Sequence, residues 1–481
     1  MRCDPVRSAQ GDAVLPRPRN TRKTGNSSWS ATASASFERR DTLSSCAAFR
    51  AFTMRSRSFR YSALATLLAA AAAACAGDRD TLASTAGLVT VFDSTSDTVR
   101  ATVAGAVPAE RIRQLVPDLR IASERNDTVV FGNTGEFVVA PSGRVLMHDP
   151  TGPQLLLFSP DGALAATVGR SGGGPGEYRD VNGLTALGDS LFALYDASSS
   201  RISFFRPDGS FATSWPLPAT NMIGQWMLVT DRTGQIRLSQ FVIPAGGSFF
   251  DARAAWATIV LGGGRLEDSV LAPTLGVKQA EYRSENNSAS SRSSTMTVGR
   301  LSPGEFTAWH PDGHYVLMEG GGYRVLFARR TGKPLVALRD APSIPVADDE
   351  RAWHEERTLF IMRRTNPAWS WQGPAIPHSR PAATGMFVAR DGSVWVHVAL
   401  PSESIPLAER TPPREGSLPP ARWRERGEYE VFGSDGRFLG RVAVPPRTSL
   451  QAADGDVVWA TQTGEDDLPA LVRFRVTPGW R

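Results

Sequence analysis

Short apolar runs alternate with turn signals along most of this chain, and that spacing predicts β-strands. In a first series of signals, an Asp-Gly pair or a close relative precedes an apolar run. Glycine after aspartate tolerates the positive φ that a tight hairpin needs, so each signal predicts a hairpin between two strands. The signals stand at 141–143, 187–189, 232–234, 311–313, 390–392 and 453–455.

A second series of turn signals closes the following hairpin in most repeats, at 160–162, 207–209, 262–264, 330–332 and 434–436. Two hairpins per repeat give four strands per repeat, and the six signals of the first series give six repeats. Four-stranded antiparallel repeats around a central channel are typical of β-propellers. We therefore predict an all-β fold, a six-bladed β-propeller over 118–478.

The sixth repeat contains only three clear strand runs: the run before 453–455, then 457–461, then 471–476. The segment 119–122, Leu-Arg-Ile-Ala, matches the fourth-strand run of the first repeat at 164–168. We expect it to complete the sixth repeat, because such closure joins the ring and removes an open sheet edge.

Residues 158–178 read Phe-Ser-Pro-Asp-Gly-Ala-Leu-Ala-Ala-Thr-Val-Gly-Arg-Ser-Gly-Gly-Gly-Pro-Gly-Glu-Tyr, and Gly-Leu-Thr-Ala-Leu-Gly-Asp-Ser-Leu follows at 183–191. This stretch resembles bacterial six-bladed β-propeller lipoproteins of the NHL-like and TolB-like group, and the resemblance extends over about 115–478. It implies the propeller fold. It implies little about chemistry, because most members of that group have no assigned function.

Three long insertions interrupt the repeats, at about 274–300, 341–383 and 401–427. In a four-stranded meander, the loop after the second strand and the loop to the next repeat emerge on the same face, so all three insertions are expected there. Loops on a rigid scaffold commonly carry binding sites. The second insertion, between blades 4 and 5, contains a predicted helix over 348–364, either a lid packed on the disc or a helix that docks a partner.

The net charge of +5 divides unevenly along the chain. Residues 1–75 hold 12 basic and 4 acidic residues, whereas the remainder holds 41 basic and 44 acidic ones. The folded part therefore lacks the concentrated basic face that phosphate binding needs, and we expect no nucleic-acid partner. The three cysteines, Cys3, Cys46 and Cys75, all belong to the first 75 residues, so the folded part has no disulfides.

Residues 54–75 have the pattern of a lipoprotein signal peptide. Arg55, Arg57 and Arg60 precede an apolar run, and Ala72-Ala-Ala-Cys75 resembles a lipobox whose cysteine is lipidated. We predict an upstream extension at 1–53, a signal peptide at 54–75, a tether at 76–117 and the propeller at 118–478. The protein is then exported and held on the membrane through its lipid anchor, on the outer-membrane or periplasmic side.

Polar residues end the second strands of several repeats, near the face that carries the insertions. They are the candidate ligand face: His148, Asp149, Tyr195, Asp196, Glu319 and His397. Histidines and carboxylates near a channel mouth could ligate a divalent metal, Ca or Zn. Six-bladed relatives of the group that the chain resembles include metal-dependent lactonases and an amidating lyase, although the diagnostic run of neither is recognisable in this sequence. The alternative hypothesis is therefore a metal-dependent hydrolase or lyase with its site at the channel mouth.

The leading hypothesis is a binding or scaffolding module of the cell envelope, without catalytic residues or a cofactor. Its ligand, a protein, peptide or glycan, would bind on the face that carries the insertions.

Overall fold

The computed structural model describes residues 88–122, 131–152, 154–217, 228–243, 245–246, 252–260, 264–288, 291–464 and 467–480. The predicted upstream extension, the predicted signal peptide and Cys75 lie outside these ranges. The described part of the chain is almost entirely β-structure and contains one α-helix.

Four-stranded antiparallel sheets follow one another along the chain, and strands are numbered here in chain order. The N-terminal strands are β1 (Val89–Asp93), β2 (Val99–Ala104) and β3 (Ile112–Ala122). Repeat 1 contains β4 (Phe137–Val139), β5 (Val145–Asp149), β6 (Gln154–Phe158) and β7 (Leu164–Val168). After the short pair β8 (Arg170–Ser171) and β9 (Glu177–Tyr178), repeat 2 contains β10 (Gly183–Leu187), β11 (Leu191–Asp196), β12 (Arg201–Phe205) and β13 (Phe211–Pro216).

Repeats 3 and 4 are separated by a long hairpin. Repeat 3 contains β14 (Leu228–Thr230), β15 (Ile236–Val242), β16 (Arg253–Val260) and β17 (Arg265–Leu271). The hairpin is β18 (Glu281–Ser288) and β19 (Ser291–Val298), in the insertion predicted at 274–300. Repeat 4 contains β20 (Glu305–His310), β21 (His314–Glu319), β22 (Arg324–Ala328) and β23 (Leu335–Arg339).

The helical insertion precedes repeat 5. It contains β24 (Ile344–Pro345), α1 (Asp348–Thr365) and β25 (Ser379–Arg380), and the helix confirms the prediction for 348–364 to within one residue. Repeat 5 contains β26 (Ala383–Val388), β27 (Val394–Ser404), β28 (Trp423–Phe432) and β29 (Phe438–Ala443). Repeat 6 contains β30 (Thr448–Asp454), β31 (Val457–Thr463) and β32 (Pro469–Thr477).

The predicted hairpins are confirmed, because each turn signal separates two strands that pair in antiparallel register. Gly392 shows why one such turn needs glycine. Its φ is +92°, and a Cβ there would meet the Nε2 atom of His310 at 2.8 Å. An alanine at this position would combine backbone strain with a clash against a buried ring.

Strand β3 completes repeat 6, as expected from the sequence. Leu119 pairs with Arg473 and Ala122 with Ala470, antiparallel to β32. The start of β3 also pairs in parallel with β29, which joins repeats 5 and 6 into one eight-stranded sheet.

Part of the predicted tether is structured. Strands β1 and β2 lie within 76–117, and β2 extends the sheet of repeat 4 by pairing in parallel with β23. Ala101 and Val103 on β2 are fully buried in the cluster beneath that sheet. This apolar alternation spans only a few residues, too short a pattern to distinguish a strand from a linker by sequence.

Apolar clusters connect each repeat with its neighbours. Each of the following pairs shares one cluster: Leu146 and Leu184, Ile202 and Leu238, Trp256 and Trp309, Val316 and Val396, Trp395 and Val458, Met147 and Trp459. Full burial of a single Val or Leu side chain contributes about 1.5–3 kcal/mol. The core is therefore a succession of inter-sheet layers, and the fold is propeller-like. No helix in the described ranges combines the length and the hydropathy that a membrane span requires.

Candidate functional site

The two predicted aspartates hold loops in place. Asp149 accepts hydrogen bonds from the backbone N–H of Thr151 at 3.0 Å and from its hydroxyl at 2.7 Å. Asp196 is fully buried and accepts the backbone N–H groups of Arg179 at 2.8 Å and Ser199 at 3.0 Å. A carboxylate that satisfies buried backbone amides in this way stabilises the fold and has few lone pairs left for a ligand.

His148 and Tyr195 end equivalent strands but have different surroundings. The His148 side chain is half-buried, and burial lowers its pKa although the nearby carboxylates of Asp149 and Asp180 act in the opposite direction. Tyr195 is fully buried in the cluster between repeats 2 and 3. Of the two, only His148 offers an accessible polar group.

Glu319 and His397 are also held by protein contacts. Glu319 forms an ion pair of 3.0 Å with Arg324. His397 bonds through Nδ1 to the Thr384 hydroxyl at 2.7 Å, and burial lowers its pKa. Its Nε2 atom is close to Gly427, where a Cβ would lie only 2.0 Å away. Both ring nitrogens of His397 are thus occupied or shielded.

The six predicted residues do not converge on one point. In the described ranges, no group of three or more His, Cys, Asp or Glu side chains could hold a metal ion. The candidates lie on the second strands of four sheets. The two aspartates bind neighbouring loops, and Glu319 and His397 bind side chains of their own sheets. The residues of this face therefore do not fit the metal required by the hydrolase or lyase alternative.

Glu136 is the titratable group that the sequence did not point to. It lies just before β4 and opposite His148, because its carbonyl accepts the His148 N–H at 2.8 Å. Its Oε1 accepts the backbone N–H of Leu184 in repeat 2 at 2.7 Å, and burial raises its pKa to about 7. The only sequence feature that could have pointed to Glu136 is its position one residue before β4, the first strand of repeat 1.

The three insertions assemble into one layer, which we call the cap: the β18–β19 hairpin, residues 340–382 with α1, and the loop 401–422. The Ser284 hydroxyl donates to the carbonyl of Met362 at 2.8 Å, and Trp369 Nε1 donates to the carbonyl of Arg283 at 2.8 Å. Trp353 Nε1 on α1 donates to the carbonyl of Pro420 in the third insertion at 2.9 Å. Segments far apart in sequence thus meet at α1.

The buried side of α1 is more polar than the sequence predicted. The apolar residues Leu359, Phe360 and Ile361 are only partly buried, whereas the buried residues are Glu350, Trp353, His354, Thr358 and Met362. Glu350 forms a buried ion pair with Arg380. His354 is 4% exposed, and burial, followed by the charges of Arg380, Arg300 and Arg357, lowers its pKa to about 4.

An open groove of about 250 Å³ runs along the outer side of α1. Acidic and basic groups lie on the helix and an aromatic ring lies opposite; the lining residues are Asp348, Arg351, Ala352, Glu355, Trp371, Ala375 and Ile376. Charged groups beside an indole face suit a polar ligand with an apolar portion, such as a peptide or a sugar.

Turns of the first series bind one another across neighbouring repeats. The Arg232 guanidinium contacts Asp312 of repeat 4 and also donates to the carbonyl of Asp391 in repeat 5, at 2.6 Å. Arg390 contacts Asp454 of repeat 6, with Nε at 2.9 Å from the carboxylate. The charges of these turns are therefore paired with one another. In the groove of the cap, Arg351 likewise forms an ion pair with Asp348 at 3.1 Å, whereas Glu355 is exposed.

Comparisons with known proteins give structural likeness only. The sequence matches no protein-family model and no curated protein. A member of the DUF4221 family from Bacteroides vulgatus has 8% identity and a TM-score of 0.46, over 76% of this chain and 99% of that one. A protein described as exported, from Bacteroides fragilis, has 11% identity and a TM-score of 0.42, over 79% and 99%. A streptogramin B lyase has 10% identity and a TM-score of 0.31, over 75% and 87%. These TM-scores lie below 0.5, so no functional conclusion follows from them.

Proposed function

We propose that this chain is a membrane-anchored envelope lipoprotein whose repeats form a six-bladed ring and whose cap binds a protein, peptide or glycan. Support for the ring comes from the apolar clusters, which link repeats 1 to 6 in order and then link repeat 6 back to repeat 1. Strand β3 supports it further, since it supplies the fourth strand of the last repeat.

The observation that carries the binding role is the convergence of three separate insertions on α1. Each insertion comes from a different place in the sequence, and each contributes a hydrogen bond to the cap. A fold that needed only stability would not require an extra layer on one face, whereas binding sites are commonly built from loops on a rigid scaffold. The groove beside Trp371 is the surface that we assign to the ligand.

Photo-crosslinking in intact cells tests the binding role. A photoreactive amino acid replaces Trp371 in the groove, and in a matched control it replaces Asp189 in an exposed turn of the first series. We expect a defined adduct, with a glycan or polypeptide of constant mass, from position 371 only. Equal adducts from both positions, or none from position 371, would contradict the assignment of the cap as the binding surface.

The membrane anchor has its own test. Cys75→Ser should move the protein from the membrane fraction to the soluble fraction while its circular dichroism spectrum stays unchanged, because residue 75 precedes the propeller predicted at 118–478. Replacement of Cys46 by serine is the matched control and should leave the protein on the membrane. Sedimentation of the Cys75→Ser protein with membranes after a salt wash would rule out the lipid anchor.

A further inference from the structure

The outer edge of β1 is an apolar strand edge that the rest of the described chain leaves unpaired. The strand reads Val-Thr-Val-Phe-Asp, and its side chains are exposed to an unusual degree for such residues: Val89 48%, Val91 58% and Phe92 47%. An exposed, flat, hydrophobic edge is a template for pairing with another strand.

The other free outer strands are protected against such pairing. The ladders that hold β7, β13 and β17 each contain a register shift. Strand β17 also carries Arg265, Glu267 and Asp268, and Asp268 has a φ of +47°. Bulges and charges twist or blunt an edge. The β1–β2 ladder is different, because it runs without a shift from Val89 to Asp93.

We propose that β1 pairs with β1 of a second copy of this chain, antiparallel, about a twofold axis at Val91. Val91 then faces Val91 of the second copy, and Thr90 faces Phe92 on either side of the axis. Aromatic and β-branched residues across a ladder are favourable partners. The same two patches meet from both chains, as a twofold interface requires.

Charge selects the antiparallel arrangement over the parallel one. Asp93 is the one charged residue of the strand. In the antiparallel pair the two Asp93 carboxylates lie four residues apart along the ladder, roughly 14 Å at about 3.4 Å per residue. In a parallel pair they would lie side by side and repel each other. A five-residue strand buries less area than the about 1,200–2,000 Å² of a stable interface, so the dimer is weak and depends on concentration.

Disulfide trapping tests this contact in the full chain. Cys3, Cys46 and Cys75 are replaced by serine, and Val91→Cys is added. Residues opposite each other in an antiparallel ladder have Cα atoms about 4.5–5.5 Å apart, within the range that a disulfide spans. Val270→Cys on the outer strand β17, 43% exposed, is the matched control. We expect the Val91→Cys chain to form covalent dimer at least about tenfold faster than the control, because pairing raises the effective concentration of the thiols.

A second measurement uses a charge at the edge. In the same background, Val91→Lys should abolish the concentration-dependent dimer in analytical ultracentrifugation, whereas Val270→Lys should leave it in place. A photoreactive residue at Val91 in cells should give an adduct of twice the chain mass. Equal trapping at positions 91 and 270, no dimer in the parent chain, or an adduct with a different protein would each overturn the proposal. The disulfide and ultracentrifugation tests use a chain without Cys75, so failure of the lipid anchor would leave them unaffected.

Discussion

At the scale of single residues, carboxylates near the strand ends bind the backbone of neighbouring segments. Asp149 and Asp196 each accept backbone N–H groups. Glu136, just before β4, also accepts a backbone N–H, from Leu184 of repeat 2, and burial raises its pKa to about 7. Burial disfavours the charged form of a carboxyl group, so Glu136 makes the stability of the folded protein depend on pH.

Glu136→Gln tests the pH behaviour of this carboxyl. Its pKa is about 7 in the folded protein against 4.5 for the ordinary group, so the folded state binds more protons between those values. The free energy of unfolding therefore falls as pH rises from 4.5 to 7. We expect Glu136→Gln to raise it by about 1–2 kcal/mol at pH 8, since one pKa unit is worth about 1.4 kcal/mol and partial exposure weakens the effect.

The measurement is urea denaturation at pH 4.5 and at pH 8. The variant should match the parent protein at pH 4.5, where the glutamate is largely protonated when folded. Glu285→Gln, an exposed residue of the β18–β19 hairpin, is the control and should change nothing at either pH. An equal effect of Glu136→Gln at both pH values would mean that its carboxyl is not titrating in this range.

At the scale of elements, α1 combines a regular backbone with a buried polar side. Acidic residues Asp348, Asp349 and Glu350 occupy its first turn, where carboxylates suit the helix dipole. Arg363 and Arg364 occupy the last turn, where cations suit it. The buried Glu350–Arg380 pair joins the helix to β25, which leads directly into the inner strand β26. The pair therefore holds α1 against the segment of the cap that leads into repeat 5.

Glu350→Gln should loosen the cap while leaving the repeats intact. Removing one partner of a buried ion pair leaves an uncompensated charge, at a cost of about 3–5 kcal/mol. We expect faster hydrogen exchange in peptides that cover 348–365 and no change in peptides that cover repeats 1 and 2. Glu355→Gln on the exposed side of the same helix is the control. Uniformly faster exchange over all repeats would show that the cap and the repeats unfold as one unit.

At the scale of the whole molecule, β3 joins the last repeat to the first through pairing and packing. Ile121 on this strand is 3% exposed and packs in a cluster with Met147 of repeat 1 and Trp459 of repeat 6. Asp118 adds ion pairs with Arg473 at 2.7 Å and Arg475 at 2.8 Å. A single N-terminal strand thus links the end of the chain to its beginning.

Ile121→Ala should destabilise the whole domain rather than one repeat. Loss of a buried isoleucine side chain costs about 2–5 kcal/mol. We expect a single unfolding transition whose midpoint moves to a lower urea concentration. The shift should be the same when unfolding is followed by tryptophan fluorescence and by far-UV circular dichroism. Val116→Ala on the same strand, where Val116 is 48% exposed, is the control and should have little effect. Two separate transitions would indicate that repeat 6 unfolds independently of the others.

Local pattern determined the hairpins and the position of α1, and the missing fourth strand of the sixth repeat predicted the pairing of 119–122 with the last strand. Turn signals, strand alternation and the acidic start of the helix act over a few neighbouring residues, so they can be read in the sequence. The tertiary structure decided which side of α1 is buried, because that depends on Arg380 and the other insertions. It also decided that Asp149 and Asp196 bind backbone N–H groups and that Glu136 is buried. It decided, too, that one edge of β1 is unpaired in the described part of the chain. Each of these follows from contacts between distant segments, which no local pattern specifies.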